Sequence, residues 1–212
     1  MPLTSTARTR IRQHPERSVP DEAAAILAQG TVAHLGFCDG GQPFVIPLTY
    51  HYDPATPDRL YLHGAQTSRA LRHLASGAPV CVTVTLLDGL VYSRTALYHS
   101  MNYRSVICFG RARRVTREAD KRAIFEGMTR RYFPGRTAGR DYDAPPSSHL
   151  RATALVEVLI EDWSAKARRG GPKGPRDADP TAPGTCGVVD LGETHGAVPP
   201  HNGRHPHSAK QD

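Results

Sequence analysis

Alternating and clustered apolar positions divide the first 163 residues into short segments. Thr31–Cys38 (TVAHLGFC) and Phe44–Tyr52 (FVIPLTYHY) predict two strands, with Asp39-Gly40-Gly41-Gln42 between them as a hairpin turn. Pro47 lies inside the second strand and has no amide hydrogen to donate, which predicts an edge or a bulge there. A polar loop, Asp53–Asp58, leads to a third strand ending in Leu60, Tyr61 and Leu62. Pro79–Leu87 (PVCVTVTLL) alternates β-branched residues and predicts a further strand, with a turn or bulge at Asp88-Gly89 before Leu90–Ser93 continues it. His99–Ser105 runs into another strand over Val106–Arg111, and Thr153–Ile160 (TALVEVLI) predicts the last, ending at Asp162-Trp163.

Three segments carry helical spacing instead. Pro20, Asp21 and Glu22 open a helix over 21–29, with acids in its first turn and Gly30 just past its end. Leu71 and Leu74 mark a helix over 67–76, and Ala123, Ile124 and Met128 form the inward side of one over 117–131. Pro134, Gly135 and Pro145-Pro146 make a long connection before the last strand. The order is helix, three strands, helix, two or three strands, helix, strand. A doubly wound sheet needs a helix between nearly every pair of strands, so the expected fold is mainly β, an antiparallel barrel with helices packed outside.

Composition sets the domain organisation. Two hundred and twelve residues suffice for one domain with a real core and some excess. The expected layout is an extended arm over 1–19, a barrel domain over 20–168, and a Gly/Pro/His-rich, largely flexible tail over 169–212. No apolar run approaches the roughly 20 residues that span a bilayer, and the start lacks the apolar centre of a secretory signal. A cytoplasmic location is expected. The Arg-, Ser- and Thr-rich beginning, free of acids before Glu16, leaves a mitochondrial presequence open. Cys38, Cys81, Cys108 and Cys186 form no CxxC pair and read as buried, reduced thiols. The net charge of +7 sits largely in the two ends and lacks interleaved aromatics, so no specific nucleic-acid partner is expected.

The stretch Leu60–Leu74 (LYLHGAQTSRALRHL) carries the most chemistry. A strand turns at Gly64 into a helix that starts at Thr67 or Ser68. A helix start offers unpaired amide hydrogens and a favourable potential for an anion. Thr67 and Ser68 add hydroxyls, and Arg69 adds a forked, permanently charged donor suited to phosphate. Alone, the turn reads more readily as an N-cap followed by a surface arginine.

Read together, Arg8–Val19, Phe44–Thr49 (FVIPLT), Tyr61–Leu74, Val80–Val91, His99–Gly110 (HSMNYRSVICFG) and Ser164–Arg168 (SAKAR) resemble the flavin-nucleotide-binding branch of the pyridoxamine 5′-phosphate oxidase-like split-barrel proteins. The resemblance covers about Arg8 to Arg168, and HSMNYRSV and the LHG…SRALR turn are its most specific parts. It implies a six-stranded antiparallel split β-barrel, a homodimer, and FMN lodged at the subunit interface, with FAD, haem or a deazaflavin in some branches. In those terms Phe44, Val45, Ile46 and Pro47 run beside the flavin ring, and His63, Ser68 and Arg69 face its phosphate. Asn102 and Tyr103 bring an amide and an aromatic plane, and Lys166 or Arg168 closes over the phosphate from the end of the last strand. Where the family often carries a tryptophan before Gly-Val, this chain has Thr185-Cys186-Gly187-Val188; if that aromatic covers the flavin in the family, the resemblance implies a more open or less active site here, and the substrate is not legible.

No rival chemistry is present: there is no GxSxG, Walker loop or HExxH. His195, His201, His205 and His207 could take a transition metal, but in a Gly/Pro-rich tail no metal site is expected. A flavin carries the redox chemistry itself, so the absence of an acid–base pair fits. The expected activity is an oxidoreductase passing electrons between a nicotinamide or similar donor and a small-molecule acceptor. The alternative is a non-catalytic flavin carrier or sensor.

Overall fold

The computed structural model describes residues 6–192. Six long strands form a closed antiparallel ring: β1 (Val32–Asp39), β2 (Gln42–His51), β3 (Arg59–Ala65), β4 (Pro79–Tyr92), β5 (Ser100–Arg114) and β6 (Thr153–Arg168). Their order is β1-β2-β3-β6-β5-β4, and the pairing of β1 with β4 closes the ring. This is the antiparallel split barrel expected from the sequence. The β1–β2 turn has positive φ at Gly40 and Gly41, the geometry that lets a two-residue turn follow the twist of its strands.

Strand alternation fills the barrel. Leu35, Leu60, Leu62, Val82, Val84, Val106, Val156 and Val158 point inward and are almost wholly buried. Helix α1 (Ala23–Gln29) adds Ile26 and Leu27, and α2 (Arg69–Ala75) closes one end with Ala70, Leu71 and Leu74. Gly110 sits at a register shift between β5 and β6, where a Cβ would stand 1.9 Å from the carbonyl oxygen of Leu159. Only glycine lets the two strands approach there.

Pro47 lies at a free edge. β2 pairs with β1 from Asp39↔Gln42 to Val32↔Thr49, but meets β3 only at Tyr50↔Leu62 and His51↔Tyr61. Along Gln42–Thr49 the outer side of β2 therefore has no strand neighbour, which is the split in the barrel and tolerates a proline without loss of ladder bonds. The Asp88-Gly89 position is a bulge inside one continuous β4.

Several elements run further than their apolar pattern. β5 takes in His99–Ser105 almost entirely and extends to Arg114, and β6 continues past Trp163 to Arg168. A 16-residue β6 can do this because β5 pairs with it from Val156 to Arg168, so backbone bonding carries it beyond the apolar run. The 134–152 connection contains α4 (Ser147–Ala152). Helix α3 (Glu118–Tyr132) buries Lys121 and Met128, whereas Ala123 is exposed, because Lys121 reaches backbone carbonyls beneath the helix.

The expected loose tail is built into the fold as far as Leu191. β7 (Gly187–Asp190) pairs with β4 through Gly89↔Asp190 to Tyr92↔Gly187. Asp177 ties it further, accepting from Ser93 Oγ at 2.9 Å and from the Arg94 and Gly174 amides at 2.7 and 2.6 Å. The four histidines of the tail lie outside the described residues. All four cysteines are free, but of the expected buried thiols Cys108 alone is buried: Cys81 and Cys186 are half-buried, and Cys38 is exposed at an outward position of β1. Burial pushes the Cys108 thiol up to about 12.

Candidate functional site

The β3–α2 turn has the features of an anion site in part. Ser68 occupies the N-cap of α2 but its side chain makes no capping hydrogen bond, so its hydroxyl is uncommitted. That removes the ordinary structural explanation for a serine here. The helix is only seven residues long, so most of the positive potential comes from side chains rather than the helix dipole. Arg69 is exposed, has no carboxylate partner among the described residues, and rests its guanidinium 4.7 Å from the centre of the Phe44 ring. Phe44 stacks in turn on Phe37 at 5.4 Å, and Phe37 on His73 at 4.7 Å.

This arrangement joins the turn to the open edge of β2. Phe44, Ile46 and Leu48 lean on the core, while Val45 and Pro47 face outward, Val45 being 69% exposed. A planar apolar ligand would find here one apolar wall, a strand backbone with free groups, a hydroxyl and a guanidinium. The residues present thus fit a flavin nucleotide with its phosphate towards Ser68 and Arg69.

Other expected members stand elsewhere. Alternation sends Tyr61 and His63 to the face opposite Leu60 and Leu62, where His63 meets Phe125 of α3 edge-on at 5.5 Å. Burial lowers its pKa, its Nδ1 is buried without a partner, and it makes no hydrogen bond to Ser68 or Arg69. His63 is therefore packed under α3 and does not belong to the turn.

Asn102, Tyr103, Lys166 and Arg168 gather at the far end of the barrel. Tyr103 pairs with Arg168, and Arg168 Nη1 donates to Asn102 Oδ1 at 2.5 Å and to the Gly170 carbonyl at 3.0 Å. Lys166 donates to the Gln13 carbonyl at 3.1 Å, in the strip where Ser18 bridges to Lys166. The α2 end of β5 is marked by Arg111, whose Nη1 donates to the Gly77 carbonyl. Asn102 lies nine residues earlier on the same strand, about 30 Å away at strand rise. Lys166 and Arg168 therefore do not close over a phosphate held by Ser68 and Arg69 of the same chain. Nothing in the spacing of the sequence warned of this, because the length of β6 comes from pairing rather than from an apolar pattern.

Two features escaped sequence reasoning altogether. A cavity of about 340 Å3, bordered by His51, Asp53, Gly127, Arg130 and Arg131, shares no residue with the β3–α2 turn. Gly127 makes room for the His51 ring, which a Cβ there would meet at 2.7 Å. The end of the β4–β5 hairpin is also strongly apolar and exposed, with Leu97 at 97%, and Leu87, Tyr98 and Met101 each about half exposed.

The chain is similar to known flavin proteins. The pyridoxamine 5′-phosphate oxidase family model matches residues 20–167. Among solved structures, the flavocytochrome Anf3 from Azotobacter vinelandii is 30% identical, with 88% of this chain and 85% of that chain covered and a TM-score of 0.76. The FAD and heme binding protein from Mycobacterium smegmatis is 34% identical, with 81% of each chain covered and a TM-score of 0.71. No curated protein matches. With the match running from the start of the first helical turn almost to the end of β6, the chain belongs to the pyridoxamine 5′-phosphate oxidase-like family of flavin-binding split-barrel proteins.

Proposed function

We propose that the protein is a flavin-dependent oxidoreductase that works as a homodimer, each site combining the β2 edge and β3–α2 turn of one chain with the β4–β5 end of the other. The observation that carries this reading is the open β2 edge with Arg69 and the uncommitted Ser68 hydroxyl beside it. The second supporting feature is the apolar β4–β5 end, about 30 Å along the strand from that turn, which one chain alone leaves in water. A site that is open in one chain also accounts for the larger cavity lying elsewhere.

Bound flavin supplies electron and hydride transfer; the chain supplies binding and orientation. Ser68 and Arg69 hold the phosphate, Phe44 and Ile46 line the ring, and the β2 backbone at Val45 and Pro47 meets its polar edge. Asn102 is held by Arg168, which fixes the amide in one orientation. Free thiols among the described residues suit a reducing compartment.

FMN is the smaller ligand that these contacts accommodate. A second reading, favoured by the two related structures whose names give FAD with heme and a flavocytochrome, is FAD together with haem. Histidine side chains would hold such a haem, and His51, His63 and His73 each keep a buried ring nitrogen without a hydrogen-bond partner. Absorbance spectra of fresh protein titrated with FMN, FAD, haem and a deazaflavin in turn separate these cofactors. Stopped-flow mixing of the flavin-loaded protein with NADH and NADPH then tests catalysis. Bleaching within seconds, with reoxidation by an acceptor, supports the oxidoreductase, whereas tight binding without reduction supports a flavin carrier or sensor.

A further inference from the structure

A second cluster of cations adjoins the β3–α2 turn through Gln66. Where α3, α4 and the start of β6 meet, a cavity of about 200 Å3 is bordered by Gln66, Thr116 and three cations, Arg114, Lys121 and Arg151. Among the described residues no carboxylate borders it. Lys121 is 8% exposed, and its Nζ donates to the carbonyls of Leu150 at 2.8 Å and Thr153 at 2.7 Å. An ammonium has three donors, so one remains after these two bonds. Arg114 donates to Gln66 Oε1 at 2.6 Å, and Gln66 Nε2 donates to the Arg151 carbonyl at 2.9 Å, which holds the rim together. The Arg151 guanidinium makes no hydrogen bond or ion pair among the described residues.

A buried ammonium is costly without a countercharge. The carboxylate whose field reaches both Lys121 and Arg151 is that of Glu118, and it is committed elsewhere. Its Oε1 accepts from Arg122 at 3.0 Å and from Ser147 Oγ at 2.7 Å. Three like charges therefore converge on a water-accessible space whose nearby carboxylate, Glu118, is shared with Arg122 and Ser147.

We propose that this cavity binds a phosphate group, with Lys121 at its base and Arg114 and Arg151 at its mouth. Two guanidiniums and an ammonium match the several acceptor oxygens of a phosphate better than the single edge of a carboxylate. The phosphate belongs either to free inorganic phosphate or to a small phosphorylated metabolite. Its separateness from the flavin phosphate rests on the proposed role of Ser68 and Arg69: phosphate binding that persists with flavin at saturation keeps the two sites apart, and binding abolished by flavin overturns a second site.

The test is a phosphate titration of the full chain at constant ionic strength, read by calorimetry or by phosphorus NMR line width. It is run with flavin added to saturation and again with Arg69→Ala, so that the outcome does not depend on flavin binding. Because Lys121 also secures the end of α4, Lys121→Met can fail to fold. The exposed pair Arg114→Gln and Arg151→Gln is the working variant, and Arg176→Gln, exposed and remote in sequence, removes the same kind of charge as a control. The expected result is saturable binding weakened about tenfold or more in the double variant, as loss of charge-assisted bonds predicts, and unchanged in the control. Repeating the titration with glycerol 3-phosphate distinguishes the sources: tighter binding than inorganic phosphate points to a metabolite, equal or weaker binding to the free ion. No saturable binding, or equal weakening in Arg176→Gln, overturns the site and leaves only diffuse attraction to a basic surface.

Discussion

Replacing Arg69 by alanine tests the phosphate assignment most directly. The guanidinium is exposed and free of any carboxylate among the described residues, and 4.7 Å from the Phe44 ring centre it is held loosely. One charge-assisted hydrogen bond to phosphate contributes about 1.5–3 kcal/mol. Leaving the Phe44 ring costs about 0.5–1 kcal/mol at an exposed position, so the net contribution is about 0.5–2.5 kcal/mol. At 1.4 kcal/mol per factor of ten, Arg69→Ala weakens FMN or FAD binding about 2- to 60-fold. Quenching of flavin fluorescence on titration with apoprotein gives the dissociation constants. Riboflavin, which lacks the phosphate, supplies the control and keeps its affinity within about twofold. Arg69→Lys retains the charge without the fork and falls between wild type and alanine. Equal weakening of riboflavin and FMN would refute the reasoning, since it would mean that the arginine acts by supporting Phe44 rather than by touching phosphate.

Three further outcomes follow from the fold. Arg131 gathers the end of α1, donating to the carbonyls of Leu27 at 2.8 Å, Ala28 at 3.2 Å and Gly30, and to that of Tyr50 at 3.1 Å. Arg131→Met therefore lowers unfolding stability by about 2–4 kcal/mol, measured by urea denaturation, because several partly buried carbonyls lose charged donors at once. Gly110→Ala drives a methyl into the Leu159 carbonyl and costs at least about 3 kcal/mol, seen as a collapsed melting temperature or insoluble protein. Stability also falls as pH drops below the ordinary histidine value. Burial lowers the pKa of His51 and His63, so the unfolded chain takes up protons from about pH 6.5 downward while the folded chain does not. Denaturation of His63→Gln at pH 7.5 and pH 5.5 shows a smaller acid loss than wild type; an equal loss removes His63 from the account.

The barrel was legible because its signals were local. β-Branched alternation in Pro79–Leu87, the Asp39–Gln42 turn and the proline at 47 each constrain a few neighbouring residues, and each appears in the structure as a strand, a turn with positive φ and an unpaired edge. Of the residues proposed for the site, Ser68, Arg69 and Phe44 come together across one turn and one hairpin. His63 does not join them, because alternation, not proximity in sequence, decides which face of β3 it occupies. Lys166 and Arg168 stand away from that turn within one chain, because the pairing of β5 with β6 carries them to the other end of the molecule. Lys121 carried no signal in the sequence, which does not show that the carbonyls of Leu150 and Thr153 lie beneath it.

The open side of β2 also bears on how the molecule avoids sticking to itself. In an antiparallel strand, alternate residues turn their backbone groups to alternate neighbours. Pro43 and Pro47 share a parity with Val45, and the unbroken pairing with β1 requires that the donor-less parity face away from it. The free edge therefore offers carbonyls at 43, 45 and 47 but, between the two prolines, a single amide hydrogen at Val45. A strand from a stray or partly unfolded chain needs donors at regular intervals and finds most of them missing, so fibre-like growth from this edge is blocked. A compact ring with its own few donors has no such need. One pair of prolines can thus keep an exposed edge open to a small molecule and closed to aggregation.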